Sequence, residues 1–509
     1  MKAFPLLCSL LAAGSFLTGT HTLANNPTTA DGWFQLFQSK NDNTWSGSDQ
    51  GTTYLASNGA TYWICADTIL GTQAANGAYN SGWSMIGNSI LVERNGVLDI
   101  ATPASLAVPN NSDGDRYWNQ AMFEANGYAY VLCQKVHNTS TGFTLMGVSM
   151  AKFRIESNDQ LTYMGMISTP STGVQGGTGT AHIQWIRSAF VTGGYVYIFG
   201  TSGTGDTYHP SATYVARVTP ANVENAGAWT FWNGSSWVAG MTNSAMIVND
   251  MVESAKLISG NWVLLHKPFA GYGSDVYAEV GTSVTGPFTS TLIFSSPAGT
   301  TSQGSPGSAT VNYVSYCPQL HPEKMLASGK LLVSIAWNGK DLFADTANDA
   351  DVYKYRFYEI SLPGVKPDKI YDVESLAATG SGDTIRTLSE TELNNGAGTI
   401  IDANAVNDYI TFTVPAVAVG NYVVQVGTKD FNSRGICQMA IAPSGTSSFS
   451  NHGSTQDLYT ATAAYSSLNI GSVSIGTTGD KLFRFMVTGK NAASSGYTLA
   501  FDYIRLSPQ

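Results

Sequence analysis

Five stretches along the chain repeat one pattern of polar and apolar positions, a polar turn ending in glycine followed by a run rich in aromatic and β-branched residues. They are NGATYWICAD, NGYAYVLCQK, GGYVYIFGTS, SGNWVLLHKP and SGKLLVSIAW, and their turn glycines Gly59, Gly127, Gly194, Gly260 and Gly329 lie 68, 67, 66 and 69 residues apart. A near-constant period of that size, with several strands in each unit, predicts antiparallel sheets repeated around an axis rather than a helical solenoid. The expectation is a five-bladed β-propeller over residues 25–362. Later runs such as ATYVARVTP and DVYKYRFYEI supply outer strands, and no helix of length is required between Trp33 and Leu362.

The pattern changes at LPGVKPDK, whose two prolines and exposed charges mark residues 363–369 as a linker. Beyond it, short alternating strands such as YITFTVPAV, NYVVQVGTK and LFRFMVTGK, separated by glycine turns, predict a jelly-roll-like β-sandwich over residues 370–509. The predicted fold class is therefore all-β. At the other end, Lys2, the apolar run Phe4–Leu17 and small residues before Asn25 predict a signal peptide, residues 1–24, cleaved after Ala24. Its apolar run is too short to remain as a spanning helix. The mature chain is expected to be secreted, periplasmic or extracellular, as a monomer without a membrane span.

Charge narrows the partners. Only 12% of residues are charged and the net charge is −10, whereas a nucleic-acid partner would require a basic surface. Of five cysteines, Cys8 leaves with the leader. The flanks of Cys65, Cys133 and Cys317 read as apolar strands, so buried free thiols are expected, with a Cys65–Cys317 bridge as the alternative.

The turn glycines also serve as a ruler. Residues equally far on either side of a turn face each other across the hairpin, which sets Asp49 opposite Asp67 about the turn residue Asn58. Without a bulge their Cα atoms would lie about 4.5–5.5 Å apart. Two carboxylates so placed repel, raising one pKa and leaving the other ionised, which is the division of labour that glycosidic bond cleavage requires. The same ruler selects Asn119 and Gln120, His182 and Gln184, Asp250 and Glu253, and Gln319 and His321, a polar level around the axis. Glu253 would face Lys267, so an ion pair competes with a site role there. DQGTTY also resembles the end of an Asp-box turn, which would make Asp49 structural. Trp83, Trp118, Trp185, Trp229, Trp232 and Trp237 could stack on sugar rings or build cores.

The segment WSGSDQGTTYLASNGATYWICADTILG, residues 45–71, resembles the opening blade of secreted bacterial five-bladed propellers, a family that includes endo-D-arabinofuranosidases. Its pattern is W-[ST]-G-x-D, a strand, a turn, and a second strand ending in G-D-T. GNSILV with Asn88, YVARV, TGPF and YCPQLHPE resemble further landmarks. The resemblance implies catalytic aspartates at Asp49 and Asp67. It also implies a substrate or pocket-ordering contact at His321, and the polar level that the ruler selects is expected to form a sugar pocket, lined by Gln120, His182, Gln184 and Glu253 together with Asn88. Two departures stand out: Ala66 replaces the glycine of G-D-T, and Ser48-Asp49-Gln50 replaces Gly-Asp-Gly.

The C-terminal part resembles calcium-containing carbohydrate-binding modules. That implies a structural Ca²⁺ on Asp372, Glu374 and Asp502, hard oxygen donors that calcium prefers, with ordinary edge carboxylates as the alternative. No cofactor is implied for catalysis. The leading expectation is a glycoside hydrolase acting on an arabinofuranose-containing polysaccharide. A glycan-binding propeller without catalysis is the alternative, followed by a polysaccharide lyase using His182 or His321.

Overall fold

In the computed structural model the described residues are 26–509, apart from 104–105, 141, 174–176, 207–208, 296–312, 340 and 391. The expected leader lies outside them. Five antiparallel sheets each begin with a hairpin. The innermost strands are Gly47–Leu55, Arg116–Ala125, Gln184–Thr192, Val252–Ile258 and Tyr313–His321. Each returns through Thr61–Leu70, Tyr128–Thr139, Tyr195–Gly203, Asn261–His266 or Leu331–Gly339. Each innermost strand packs beside that of the next sheet, and the fifth packs beside the first, so the ring closes as a five-bladed propeller. The five ruler glycines sit in the five inner turns with φ between 68° and 84°, the left-handed region that a side chain resists.

Closure uses an element that the strand pattern did not require. Helix Ala30–Ser39 precedes blade one and packs on the outer strand of blade five, Arg356–Ile360. Thr29 caps it by accepting from the Gly32 amide at 3.0 Å. Trp33 and Phe37, one turn apart, point inward and meet Trp45, Trp63, Tyr355 and Phe357 in an aromatic core. The Phe37 and Trp63 ring centroids lie 4.7 Å apart. Three strands form blade five among the described residues, and this helix covers its outer side. A second short helix, Leu342–Asn348, is capped by Asp341.

The last two sheets face each other as a sandwich. One has central strands Gly420–Asp430 and Leu499–Pro508, the other Gly435–Pro443 and Gly479–Lys490. Alternate residues such as Tyr422, Val424 and Val426 point into the shared core, where the Phe485 and Phe501 centroids approach to 4.3 Å. The sandwich meets the turn end of blade one. There Asn95 Nδ2 donates to the Leu393 carbonyl at 2.8 Å, and the Asn395 amide donates to Asn95 Oδ1 at 2.9 Å.

Candidate active site

All five innermost strands lose register at one level around the axis. The breaks fall between Ser48 and Gln50, Asn119 and Ala121, Gln184 and Ser188, Val252 and Ser254, and Tyr316 and Gln319. A β-bulge leaves its extra residue outside the ladder and re-aims the side chain. The residues so released are Asp49, Gln120, the segment ending in Arg187, Glu253, and Cys317 with Pro318. The unbulged hairpin expected for blade one is thus corrected. Ser48 faces Thr68 and Thr52 faces Ile64, as the ruler required, but two shifts around Gln50 cancel each other.

Local sequence explains the bulge of blade one. Gln50 and Gly51 adopt φ of 72° and 75° in succession. A Cβ on Gly51 would sit 2.8 Å from the Tyr355 ring, so only glycine fits there. Gln50 occupies this region at a cost of about 1–2 kcal/mol, at a position where the resembling propellers carry glycine. Asp49 therefore belongs to the axial strand, with the hairpin turn at Ala56–Gly59, and is not placed as an Asp-box turn residue.

Asp49 and Asp67 are both partly buried, and their environments differ. Burial, with the Asp67 charge adding to it, pushes the Asp49 carboxyl up to about 8, while hydrogen bonding to Tyr316 pulls the other way. Tyr316 donates to Asp49 Oδ2 at 3.2 Å and accepts from Asn338 Nδ2 at 3.3 Å. Asp49 Oδ1 is buried without a hydrogen-bond partner among the described residues. Burial also raises Asp67, against which the Arg116 guanidinium, 3.9 Å away, and the Trp118 indole both act. Trp118 Nε1 donates to Asp67 Oδ1 at 2.7 Å. Asp49 is thus raised enough to keep its proton near neutrality, and Asp67 is raised as well, with Arg116 and Trp118 limiting its rise.

The remaining expected residues divide. Glu253, 2% exposed, pairs with Arg187 across 3.3 Å, whereas Lys267 donates to the Ser315 carbonyl at 2.7 Å. Burial raises Glu253, and Arg187 and Lys267 oppose it. Gln120 Oε1 and Gln184 Oε1 are buried without partners among the described residues, as are Asn119 Nδ2 and Arg187 Nε. Gln184 Nε2 donates to the His182 carbonyl at 3.2 Å, while the His182 ring is exposed. His321 is fully buried, with Nδ1 2.8 Å from the Thr53 hydroxyl and Nε2 2.7 Å from that of Ser334. Burial, with Lys256 and Lys324 nearby, holds it neutral. Asn88 spends its amide on the backbone of Val108 and Tyr117. These two order the blades and leave no polar atom for a sugar.

Of the tryptophans, Trp185 and Trp229 are core residues, and Trp232 packs against Trp237 at 5.7 Å. Trp83 stacks on Tyr79 at 5.6 Å, and only Trp118 touches a catalytic candidate. The four cysteines among the described residues are free thiols, so Cys65 and Cys317 form no bridge. Cys317 takes φ 50° in the bulge of blade five. Arg187 and Tyr316 escaped sequence reasoning because their contacts with Glu253 and Asp49 run between neighbouring blades, which no local pattern records.

Residues 31–363 match the family described as a domain of unknown function, DUF5005. The chain belongs to the DUF5005 family. No curated protein matches the sequence. Among solved structures, a candidate hydrolase from Bacteroides ovatus is 16% identical with a TM-score of 0.50, over 65% of this chain and 88% of that one, and it shares the fold. An arabinoxylan arabinofuranohydrolase of glycoside hydrolase family 43 from Bacillus subtilis is 12% identical, TM-score 0.36, over 92% and 96% of the two chains. An exo-β-1,3-galactanase from Phanerochaete chrysosporium is 11% identical, TM-score 0.33, over 90% and 96%.

A cavity of about 860 Å³ lies where the DUF5005 propeller meets the sandwich, beside Asn58, Arg94, Asp372, Glu374, Asp502 and Tyr503. It is at the turn end of the blade-one hairpin, away from Asp49 and Asp67. Burial raises Asp502 to about 8 and Glu374 to about 7, and nearby Asp372 adds to both. Glu374 Oε2 is buried without a partner among the described residues. Asp372, however, accepts from the side-chain amides of Asn394 and Asn395, and Asp502 Oδ1 accepts from the Asn394 backbone at 2.8 Å. Among the described residues no three His, Cys, Asp or Glu side chains are arranged to hold a metal ion.

Proposed function

We propose that the DUF5005 propeller is a glycoside hydrolase that cleaves a polysaccharide at Asp49 and Asp67. The observation that carries this reading is the acid pair itself, two carboxyls close enough to interact, both raised by burial and each approached by its own aromatic donor, with Asp49 raised to about 8. Protonated Asp49 gives its proton to the glycosidic oxygen as the bond from the anomeric carbon breaks. Ionised Asp67 either attacks that carbon or takes a proton from the water that does. Water is consumed and two hydroxyl ends are produced. Gln120, Gln184, Asn119 and Arg187 present buried polar atoms without partners among the described residues, a set that sugar hydroxyls would satisfy.

The substrate we propose is an arabinofuranose-containing glycan, supported by the sequence resemblance of residues 45–71. The test is product analysis with arabinans, arabinogalactans, xylans and fructans, using the mature protein and its Asp49→Asn and Asp67→Asn variants. Sugars released by the wild type and lost in both variants support the reading. Binding without products from any polymer would replace it with a glycan-binding propeller.

For the sandwich, the reading is a carbohydrate-binding module that keeps the enzyme on its polymer. Calcium on Asp372, Glu374 and Asp502 would neutralise three carboxylates that burial raises, after Asn394 and Asn395 turn away from Asp372. Millimolar Ca²⁺ should then raise Tm in the wild type and not in Asp502→Asn, and no rise in the wild type would remove calcium from the account. Export, and action as a monomer, belong to the same reading. Culture fractionation and sedimentation test them.

A further inference from the structure

Both carboxyls of the acid pair are approached by an aromatic donor, and each donor carries a second, exposed ring on its outer side. Tyr316 donates to Asp49, and Tyr272, 63% exposed, lies over Tyr316 with centroids 5.9 Å apart. Trp118 donates to Asp67, and Phe143, 51% exposed, meets Trp118 edge-on at 4.8 Å. The sequence of groups across the axis is therefore exposed ring, donor ring, acid, acid, donor ring, exposed ring. It runs from the loop after Asn261–His266 in blade four, through blades five and one, to the hairpin after Tyr128–Thr139 in blade two.

Nothing in folding favours leaving those two rings in water. Burying either would be favourable. The loop that raises Tyr272 is itself strained, with Phe269 and Ala270 both at positive φ, 56° and 54°. Strain of this kind persists where the surrounding structure imposes it, and it clusters at ligand sites. Tyr272 is close enough to the axial groups that Cys317, Glu253 and Asp49 raise its phenol, after burial, to about 12.

We infer that Tyr272 and Phe143 are sugar-stacking platforms for the units on opposite sides of the scissile bond. This rests on the glycosidase reading and deepens it. Sugar rings present apolar C–H faces that an exposed aromatic ring covers, while their edge hydroxyls remain for the polar atoms of the axis. A site that digests from a chain end needs one side closed, whereas rings on both sides hold a chain that passes across. The occupant is thus an internal stretch of polysaccharide.

The experiment uses the full chain and its Tyr272→Ala, Phe143→Ala and double variants, with Met164→Ala as a control for removing an exposed apolar side chain elsewhere. Products of the best polymer are sized at early times, and binding of an oligosaccharide ladder to Asp49→Asn is followed by tryptophan fluorescence. The wild type should release mixed oligosaccharides before monomers. Each single variant should raise KM on polymer roughly tenfold with a smaller change in kcat, and should shorten the oligosaccharide length at which affinity stops rising. Monomers released first from chain ends would overturn the inference, as would platform variants that match the Met164→Ala control. If the wild type cuts no polymer at all, it is the glycosidase reading that fails, and the ladder then shows separately whether the platforms bind glycan.

Discussion

Replacing Asp49 with asparagine should remove activity and at the same time stabilise the protein, by an amount that depends on pH. In the unfolded chain the carboxyl titrates near 3.8, and in the fold near 8. Below about pH 4 it is protonated in both states and costs nothing. As pH rises, the unfolded chain ionises while the folded one keeps its proton, so the folded state binds more protons and stability falls. Each tenfold difference in proton affinity between the two states is worth about 1.36 kcal/mol, so the penalty approaches about 4 kcal/mol at pH 7 if all of that difference belonged to Asp49. Part of it belongs to the interaction with Asp67.

Asparagine keeps the acceptor for Tyr316 and places an amide where the protonated carboxyl stood, so local packing should change little. We expect a gain of about 2 kcal/mol at pH 7.5 that vanishes near pH 4, together with a fall in kcat of at least about a thousandfold. Urea unfolding at pH 4, 6 and 7.5, followed by fluorescence, measures the first. A gain independent of pH, or a variant less stable than the wild type at pH 7.5, would refute the claim that Asp49 is held protonated at a cost to the fold.

Three further outcomes follow from contacts described above. Trp118→Phe keeps the ring against Phe143 but removes the donor to Asp67, so the Asp67 carboxyl should rise and the acid limb of the pH–rate profile should move to higher pH. The rate at the optimum should fall roughly tenfold or more, since hydrogen bonds to charged groups are worth about 1.5–3 kcal/mol. Gly51→Ala should destabilise by about 2–4 kcal/mol, read from urea midpoints, because the new Cβ meets the Tyr355 ring and the backbone there is left-handed. Phe37→Ala should cost about 3–5 kcal/mol and increase proteolysis of the helix that closes blade five on blade one.

The architecture was readable because its punctuation is chemical. A tight inner turn needs a residue at positive φ, glycine meets that need, and five such glycines at a regular interval reveal five blades. Counting outward from the turn holds for Ser48 opposite Thr68 and Thr52 opposite Ile64, which brings Asp49 and Asp67 to the same end of the hairpin, although Asp49 itself lies in the bulge between those pairs. The same count failed for Glu253, because the two-residue turn that sets Ile258 opposite Asn261 puts the ladder one residue off the expected register, and a bulge then leaves Glu253 outside it, paired with Arg187. Bulges depend on contacts between blades, such as Gly51 under Tyr355, which no local pattern records. His321 and Asn88 illustrate a different gap. Their burial was foreseeable, but which hydroxyls and carbonyls would absorb their polar atoms depends on neighbouring strands. The closing helix left a signal, apolar residues four apart at Trp33 and Phe37, in a segment too short for periodicity to outweigh the strands around it.

The broken register around the axis has a physical logic that joins fold to function. Each innermost strand is the edge of its own sheet and is flanked by the innermost strands of the neighbouring blades, so it can lose ladder hydrogen bonds at one level while those neighbours hold it in place. At that level the usual small apolar filling is replaced by Asp49, Gln120, Arg187, Glu253 and Cys317, each released from the pleat and turned by a bulge. The stability to tolerate this comes from outside the ring, from aromatic and aliphatic layers between blades such as that built on Trp33, Trp63 and Phe357. Costs concentrate at the axis and gains concentrate between the sheets. That separation lets Asp49 keep an energetically unfavourable proton in a rigid setting, which is the condition the proposed hydrolase would need to deliver it to a leaving group.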